Sequence, residues 1–141
     1  MDSQIYQSRR KGYSIIDHRF EGRSLEVYTI DGEKLIGLVD EVAAHEIGMY
    51  VENNPIIIER ASILYMVSGL SDLHGSSECC EKEYILDEDF IGVDVELRLI
   101  NGQEIGGRIV KITKNEIGIA QGNRALIIPR SKISFIRVGG R

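Results

Sequence analysis

The sequence has no tryptophan, only two prolines and only two cysteines in 141 residues, and these shortages exclude several classes of protein. Cys79 and Cys80 are adjacent, so they cannot form the disulfide scaffold on which small secreted domains depend. No apolar run approaches the roughly 20 residues that a membrane-spanning helix needs. The opening residues, MDSQIYQSRRKGYS, lack an apolar core after their charges. We therefore expect no cleaved signal, no membrane contact and a cytoplasmic location.

Residue groupings typical of catalysis and metal binding are also missing. The three histidines, His18, His45 and His74, have no spaced Ser, Cys or paired carboxylates beside them. His74 and the Cys79-Cys80 pair lack a fourth ligand at the spacing of a tetrahedral metal site. The sequence therefore predicts a protein that is not an enzyme and needs no metal or cofactor, and it assigns no role to the two cysteines.

The residues that are present form a duplicated pattern. The segment 15–69 aligns with the segment 85–139 without a gap, and 17 of the 55 pairs are identical. All five glycines of the first copy recur in the second. We interpret residues 15–69 as a first repeat and residues 85–141 as a second. Residues 70–84 are polar and turn-rich and are interpreted as a linker, and residues 1–14 as a mobile basic arm.

Each repeat has the hydrophobic pattern of short strands. Leu25, Val27 and Thr29 alternate with Glu26 and Tyr28, and this period of two indicates a half-buried strand. Four similar segments follow in each copy. Five short strands in about 45 residues favour a strongly bent small barrel, because closure removes open strand edges.

Turn and bend residues separate these strands. Asp31-Gly32 and Asn101-Gly102 favour type I′ turns. Gly37 and Gly107 interrupt the second strand, where the chain must bend or be approached closely. The segments before the first strands fit short helices that end at a glycine C-cap. The predicted fold is all-β with short N-terminal helices and two tandem five-stranded barrels.

This order of elements resembles the Sm-like family, which includes LSm proteins and bacterial Hfq; SH3-like and PRC-type small barrels share much of the pattern. The resemblance covers both repeats, which make up most of the chain. It is sharpest in Val27-x-Thr29-x-Asp31-Gly32 with Gly37, and in Leu97-x-Leu99-x-Asn101-Gly102 with Gly107. The second family motif corresponds here to Ile58-Glu59-Arg60 and Ile128-Pro129-Arg130.

The Sm-like resemblance implies an RNA pocket built from the loop between strands two and three and the arginine of the second motif. The matching positions are His45 with Arg60 in the first repeat and Asn115 with Arg130 in the second. The asparagine that many members carry two places further along the loop corresponds to Ile47 and Ile117 here.

Charge is divided unequally between the repeats. Residues 25–69 contain eight acidic and two basic residues, whereas residues 93–141 contain four acidic and nine basic residues. Clustered Lys and Arg bind phosphates through counterion release, so an RNA site is expected in the second repeat. The alternative is that acidic and basic repeats complement each other at interfaces. The candidate RNA-binding residues, for single-stranded U-rich or A-rich RNA, are Lys111, Lys114, Asn115, Arg130, Lys132, His45 and Arg60.

Apolar strands near the end of each repeat predict self-association. Repeats this small bury only about 60% of their unfolded surface, and an open apolar edge pairs readily with another chain. In Sm-like rings the fourth strand of one subunit pairs with the fifth of the next, so the resemblance implies a homo-oligomer, a trimer of chains arranged as a pseudo-hexamer. The expected edge residues are Ile56, Ile57, Ile58, Ile63, Tyr65, Leu126, Ile127, Ile128, Ile133 and Phe135.

Overall fold

The computed structural model describes residues 14–73 and 82–139, and these residues form a mostly β structure. The arm up to residue 13, most of the linker, and the cysteine pair lie outside the described residues. The strands of the first repeat are β1 (Ser24–Thr29), β2 (Lys34–Val42), β3 (Glu46–Val51), β4 (Asn54–Glu59) and β5 (Ile63–Val67). Those of the second are β6 (Asp94–Leu99), β7 (Glu104–Ile112), β8 (Glu116–Gln121), β9 (Arg124–Pro129) and β10 (Ile133–Val138). The all-β prediction is confirmed.

The predicted N-terminal helices are wrong, because only single 3₁₀ turns occur at these places. They span His18–Phe20 and Glu88–Phe90, and a further turn of this kind precedes the last strand of each repeat. The Asp17 carboxylate accepts a hydrogen bond from the Arg19 backbone and caps the first turn. The next residue after this turn, Glu21, is already extended, so no α-helix begins.

All ten strands belong to one antiparallel sheet rather than to two separate sheets. The strand order is β5-β1-β2-β3-β4-β10-β6-β7-β8-β9, so the fourth strand of the first repeat pairs with the last strand of the second. This pairing removes the edges that β4 and β10 would otherwise expose. The sheet is open, and its two outer strands are β5 and β9.

Two apolar clusters follow from the alternation along the strands. In β1, Leu25 and Val27 are buried while their neighbours are partly exposed, as the sequence pattern predicts. One cluster contains mainly first-repeat residues and the other mainly second-repeat residues. No helix in residues 14–73 and 82–139 has the length and apolar character needed to cross a membrane.

Close backbone approach explains the glycines in the second strand of each repeat. A Cβ on Gly37 would lie 2.0 Å from the carbonyl oxygen of Tyr50, and a Cβ on Gly107 would lie 2.6 Å from that of Ala120. The ladder between β2 and β3 shifts register between Val39 and Glu41, so the strand also bends near this point. The prediction of close approach is confirmed.

The predicted type I′ turns at Asp31-Gly32 and Asn101-Gly102 are wrong. Only the glycine of each pair has positive φ, +92° for Gly32 and +90° for Gly102. The Gly32 N–H donates to Thr29 O, and the Thr29 N–H donates to Glu33 O, which makes a longer loop. Positive φ at two successive residues occurs instead at Glu52 and Asn53, between β3 and β4.

Candidate functional site at the junction of the repeats

The two repeats are joined by the strand pair β4–β10. Ile58 lies opposite Phe135, and Ile57 lies opposite Ile136. The side chains cross the junction, because Phe135 packs in the cluster of the first repeat and Ile57 in that of the second. The junction therefore joins both the sheet and the two apolar cores.

A buried carboxylate ties the start of the second repeat to the first. Glu46 is fully buried at the first position of β3. Its Oε1 accepts hydrogen bonds from the backbone N–H groups of Ile85 (2.5 Å) and Leu86 (2.9 Å). Its Oε2 lies 3.1 Å from Nη1 of Arg130. These donors satisfy the carboxylate, and a charged group without such partners would be costly to bury.

The Arg130 guanidinium is held at the centre of this junction. Its Nε donates to Thr113 O (3.1 Å) and its Nη2 to Leu86 O (2.8 Å), in addition to the Glu46 pair. The guanidinium carbon lies 4.1 Å from the ring centre of Tyr84, a cation–π distance. The side chain is 7% exposed, so this predicted RNA contact is engaged in structure rather than presented to solvent.

Arg60 adopts the corresponding arrangement in the first repeat. Its Nε donates to Ala43 O (3.1 Å) and its Nη2 to Ile16 O (2.9 Å). In the alignment of the repeats, these two acceptors are the counterparts of the two carbonyl groups that Arg130 contacts. Burial lowers the pKa of Arg60, although the negative charge of Asp17 acts to raise it.

Glu59 lies directly opposite Glu46 in the β3–β4 ladder. Two ionised carboxylates at such a position would repel each other. Burial, together with the hydrogen bond to Glu46 and the charge of Glu46, raises the pKa of Glu59 to about 10. Its Oε2 is buried and receives no hydrogen bond from any described residue, as fits a carboxyl group that carries the proton. Burial and the neighbouring Glu46 carboxylate therefore favour the protonated, neutral form of Glu59.

An aromatic pair lies beside Arg130. The rings of His45 and Tyr84 stack with their centres 5.0 Å apart. The backbone N–H groups of Ala44 and His45 donate to the carbonyl oxygens of Lys82 and Glu83, each at 2.9 Å. The end of the predicted linker is thus hydrogen-bonded to the first repeat, and this brings Tyr84 into contact with both His45 and Arg130.

A second polar cluster crosses the junction near the β1–β2 loop. Arg98 pairs with Asp31 (3.2 Å) and Glu33 (2.8 Å) of the first repeat, and the Ser134 hydroxyl donates to Asp31 (2.6 Å). Although partial burial acts in the opposite direction, hydrogen bonds with Ser134 and Thr29 lower the pKa of Asp31. Acidic first-repeat residues therefore meet a basic second-repeat residue at this point, as the charge division predicts for an interface.

A cleft of about 450 Å³ opens between the repeats beside the Glu46–Arg130 pair. It brings together residues from the β2–β3 and β7–β8 loops and the turns after β4 and β9. Five of the seven candidate RNA-binding residues line it: His45, Arg60, Lys114, Asn115 and Arg130. Lys111 and Lys132 are exposed, and they do not line this cleft.

The expected edge residues divide into two sets. Ile56, Ile57 and Ile58 pair with β10 of the same chain, which also places Ile133 and Phe135 inside the sheet. The prediction that these five positions are edges is wrong, because β4 of the first repeat and β10 of the second pair with each other within the chain. The remaining candidates lie on the outer strands: Ile63, Tyr65, Leu126, Ile127 and Ile128.

Sequence reasoning missed three residues of the junction. Glu46 aligns with an identical residue, Glu116, and this identity between the repeats was the available signal. The charge count treated Glu46 only as one of eight acidic residues in the first repeat. Glu59 corresponds to Pro129, so no repeated feature marked it. Tyr84 is the one aromatic residue in the predicted linker, and this isolation was its only signal.

No group of three or more His, Cys, Asp or Glu side chains that could hold a metal ion occurs in residues 14–73 and 82–139. His74 and the cysteine pair fall outside those ranges. In comparisons with known proteins, no family model and no curated protein matches this chain.

Proposed function

We propose that this protein is a non-enzymatic, Sm-like assembly protein that forms closed homo-oligomers and binds single-stranded RNA. In this proposal each repeat is a strongly bent five-stranded barrel, and the chain supplies two neighbouring positions of a ring. Three chains would give a pseudo-hexamer in which acidic and basic repeats alternate.

The observation that carries the assembly is the difference in burial between equivalent residues. Phe135 is 1% exposed at the junction, whereas Tyr65, its counterpart on the outer strand β5, is 56% exposed. Ile85 is 7% exposed, whereas its counterpart Ile15 is 61% exposed. Tyr65 and Ile15 are thus exposed at positions whose second-repeat equivalents are buried at the junction. An exposed apolar strand edge is a template for pairing with another chain.

The internal junction also supplies a register for that pairing. Transferred to the equivalent positions of the outer strands, the β4–β10 pairs become Ile128 opposite Tyr65, Ile127 opposite Met66 and Leu126 opposite Val67 of the next copy. Such a contact is head-to-tail, because β9 of one copy meets β5 of another. A head-to-tail contact closes into a ring when the rotation between copies allows it.

The cleft supports the RNA part of the proposal. Lys114 and Asn115 are exposed at its rim, and His45 is exposed on the opposite repeat. A lysine there offers phosphate contact, and an asparagine offers an amide to a base edge. Arg130 acts by holding the rim in place, since its donors are engaged with carbonyl groups and with Glu46.

Fluorescence anisotropy with labelled U-rich and A-rich RNA tests this function. Lys114→Ala should weaken binding and flatten the salt dependence by about 0.7 in log–log slope for one lost phosphate contact on a single strand. Lys34→Ala, an exposed lysine on β2 outside the cleft, is the matched control. Asn115→Ala should reduce any difference in affinity between the U-rich and the A-rich RNA. Absence of binding to either RNA at low salt would contradict the RNA part.

The burial of Arg130 favours a second candidate function, an Sm-like protein–protein scaffold that has lost RNA binding. The arginine that the family resemblance assigns to the pocket is 7% exposed here and paired with Glu46. Under this alternative the oligomer forms, but RNA produces no anisotropy change. The mass of the oligomer and the anisotropy titration therefore separate the candidates.

A further inference from the structure

Glu46 and Glu116 occupy equivalent positions and have opposite environments. Each is the first residue of its strand, β3 or β8. Glu46 is fully buried against the second repeat, whereas Glu116 is exposed and lines the cleft. Among the described residues, none takes the place beside Glu116 that the start of the second repeat takes beside Glu46.

The partners of Glu46 have counterparts in the first repeat. Glu46 accepts from the backbone N–H groups of Ile85 and Leu86 and pairs with Arg130. The equivalent positions of the first repeat hold Ile15, Ile16 and Arg60. Arg60 already has the pose of Arg130, because both donate to two carbonyl oxygens at equivalent positions.

We propose that Glu116 is the latch between copies of this chain: it accepts hydrogen bonds from the Ile15 and Ile16 backbone of the next copy and pairs with its Arg60. This inference rests on the proposed self-assembly and assigns the residue that orients it. The latch places β9 beside β5 in the register that brings Ile127 opposite Met66. It also draws Ile15 into the position that Ile85 occupies inside the chain, next to a glycine of the third strand.

The latch differs from the internal site in one respect. The residue opposite Glu46 in its ladder is Glu59, whereas the residue opposite Glu116 is Pro129. The latch therefore has one carboxylate for one guanidinium, without a second carboxyl group that must stay protonated. A charge-paired contact of this kind depends on both partners, because removal of one leaves the other buried and unpaired.

Analytical ultracentrifugation of the full chain over a concentration series tests the latch. Glu116→Ala should raise the dissociation constant between copies about 100-fold or more, whereas Asp94→Ala should leave it unchanged. Asp94 is the matched control because it is an exposed acid of the second repeat in an exposed ion pair with Arg108. Glu116→Arg should dissociate the oligomer, because a guanidinium at this position repels Arg60 and cannot accept from the Ile15 and Ile16 N–H groups.

Disulfide trapping gives a second readout, the register in which β9 of one copy pairs with β5 of another. In a Cys79→Ser/Cys80→Ser background, Met66→Cys with Ile127→Cys should cross-link copies under mild oxidation, and Leu64→Cys with Ile127→Cys should cross-link far less. A wild-type chain that stays monomeric would overturn the proposed assembly and the latch together. A wild-type oligomer that tolerates Glu116→Ala as well as Asp94→Ala, or that cross-links equally in both registers, would overturn the latch alone.

Discussion

Ile57 and Ile127 are identical residues at equivalent positions, yet Ile57 is 4% exposed and Ile127 is 70% exposed. Ile57 lies on β4 and packs into the core of the second repeat across the junction. Ile127 lies on β9, the outermost strand on its side of the described sheet. The chain therefore buries this position at the internal junction and leaves the equivalent position exposed on an outer strand.

The first prediction concerns Ile127→Asp. A charge on this exposed strand should shift the protein towards smaller species, because the charge would have to be buried when β9 pairs with another copy. Folding of the single chain should change by only about 0.5 kcal/mol, since the side chain is exposed there. Light scattering on a sizing column measures the mass. Leu38→Asp, at an exposed position on β2, is the control, and an equal mass for both variants would contradict the prediction.

The second prediction concerns the junction pair. Arg130→Ala should lower the free energy of unfolding by about 3 to 5 kcal/mol, because Glu46 is left buried without its charge partner. Arg137→Ala, which breaks an ion pair with Glu96 in which both side chains are over a third exposed, should cost under about 1 kcal/mol. Urea denaturation followed by circular dichroism measures both. Losses of similar size would show that Arg130 does not hold the junction.

The third prediction concerns the close approach at Gly37. A Cβ there would meet the Tyr50 carbonyl oxygen at 2.0 Å, so Gly37→Ala must displace β3 and should cost about 2 kcal/mol or more. Gly106→Ala is the matched control, because the nearest atoms to its Cβ are 3.8 Å away. Thermal unfolding should distinguish the two variants clearly. A stable Gly37→Ala variant would contradict the packing of β2 against β3.

The fourth prediction concerns the protonated Glu59. Its pKa is raised from 4.5 to about 10, so the folded chain holds a proton that the unfolded chain releases above pH 4.5. The free energy of unfolding must therefore fall as pH rises between these values, by about 1.4 kcal/mol per pH unit for this group. Glu59→Gln keeps the shape and cannot ionise, so it should remove this decline.

Urea denaturation at several pH values tests the Glu59 prediction. Glu59→Gln should be more stable than the wild type by roughly 3 to 4 kcal/mol at pH 7, and the difference should vanish below pH 4.5. Glu83→Gln, at an exposed position next to Tyr84 in the sequence, should leave the pH profile unchanged. Parallel profiles for the wild type and Glu59→Gln would contradict the assignment of a neutral Glu59.

The strands were predictable from the sequence because their signals are local. The alternation from Leu25 to Thr29 depends on which face of one strand is buried, and this is visible in a few residues. The close approach at Gly37 was likewise predictable, because a glycine weakens a strand unless the chain bends there or is approached closely. The N-terminal helices failed because a glycine with positive φ, such as Gly22, can follow a single 3₁₀ turn as well as a helix.

The junction was not predictable in the same way. Ile56–Ile58 and Leu126–Ile128 have equivalent patterns, so no local feature says which strand pairs within the chain. Arg130 belongs to a basic stretch and therefore resembled an RNA contact, while its partner Glu46 lies 84 residues earlier in the sequence. The cleft residues were found because the family resemblance groups loops that are distant in sequence, and five of seven of them do meet.

The mass of the wild-type 141-residue chain in solution tests the central claim most directly. Light scattering on a sizing column at micromolar concentration should give the mass of two or more 15.8 kDa chains, with a trimer of chains as the expected species. Such a mass would agree with pairing of β9 and β5 between copies. A single species of 15.8 kDa that persists as the concentration rises would contradict it.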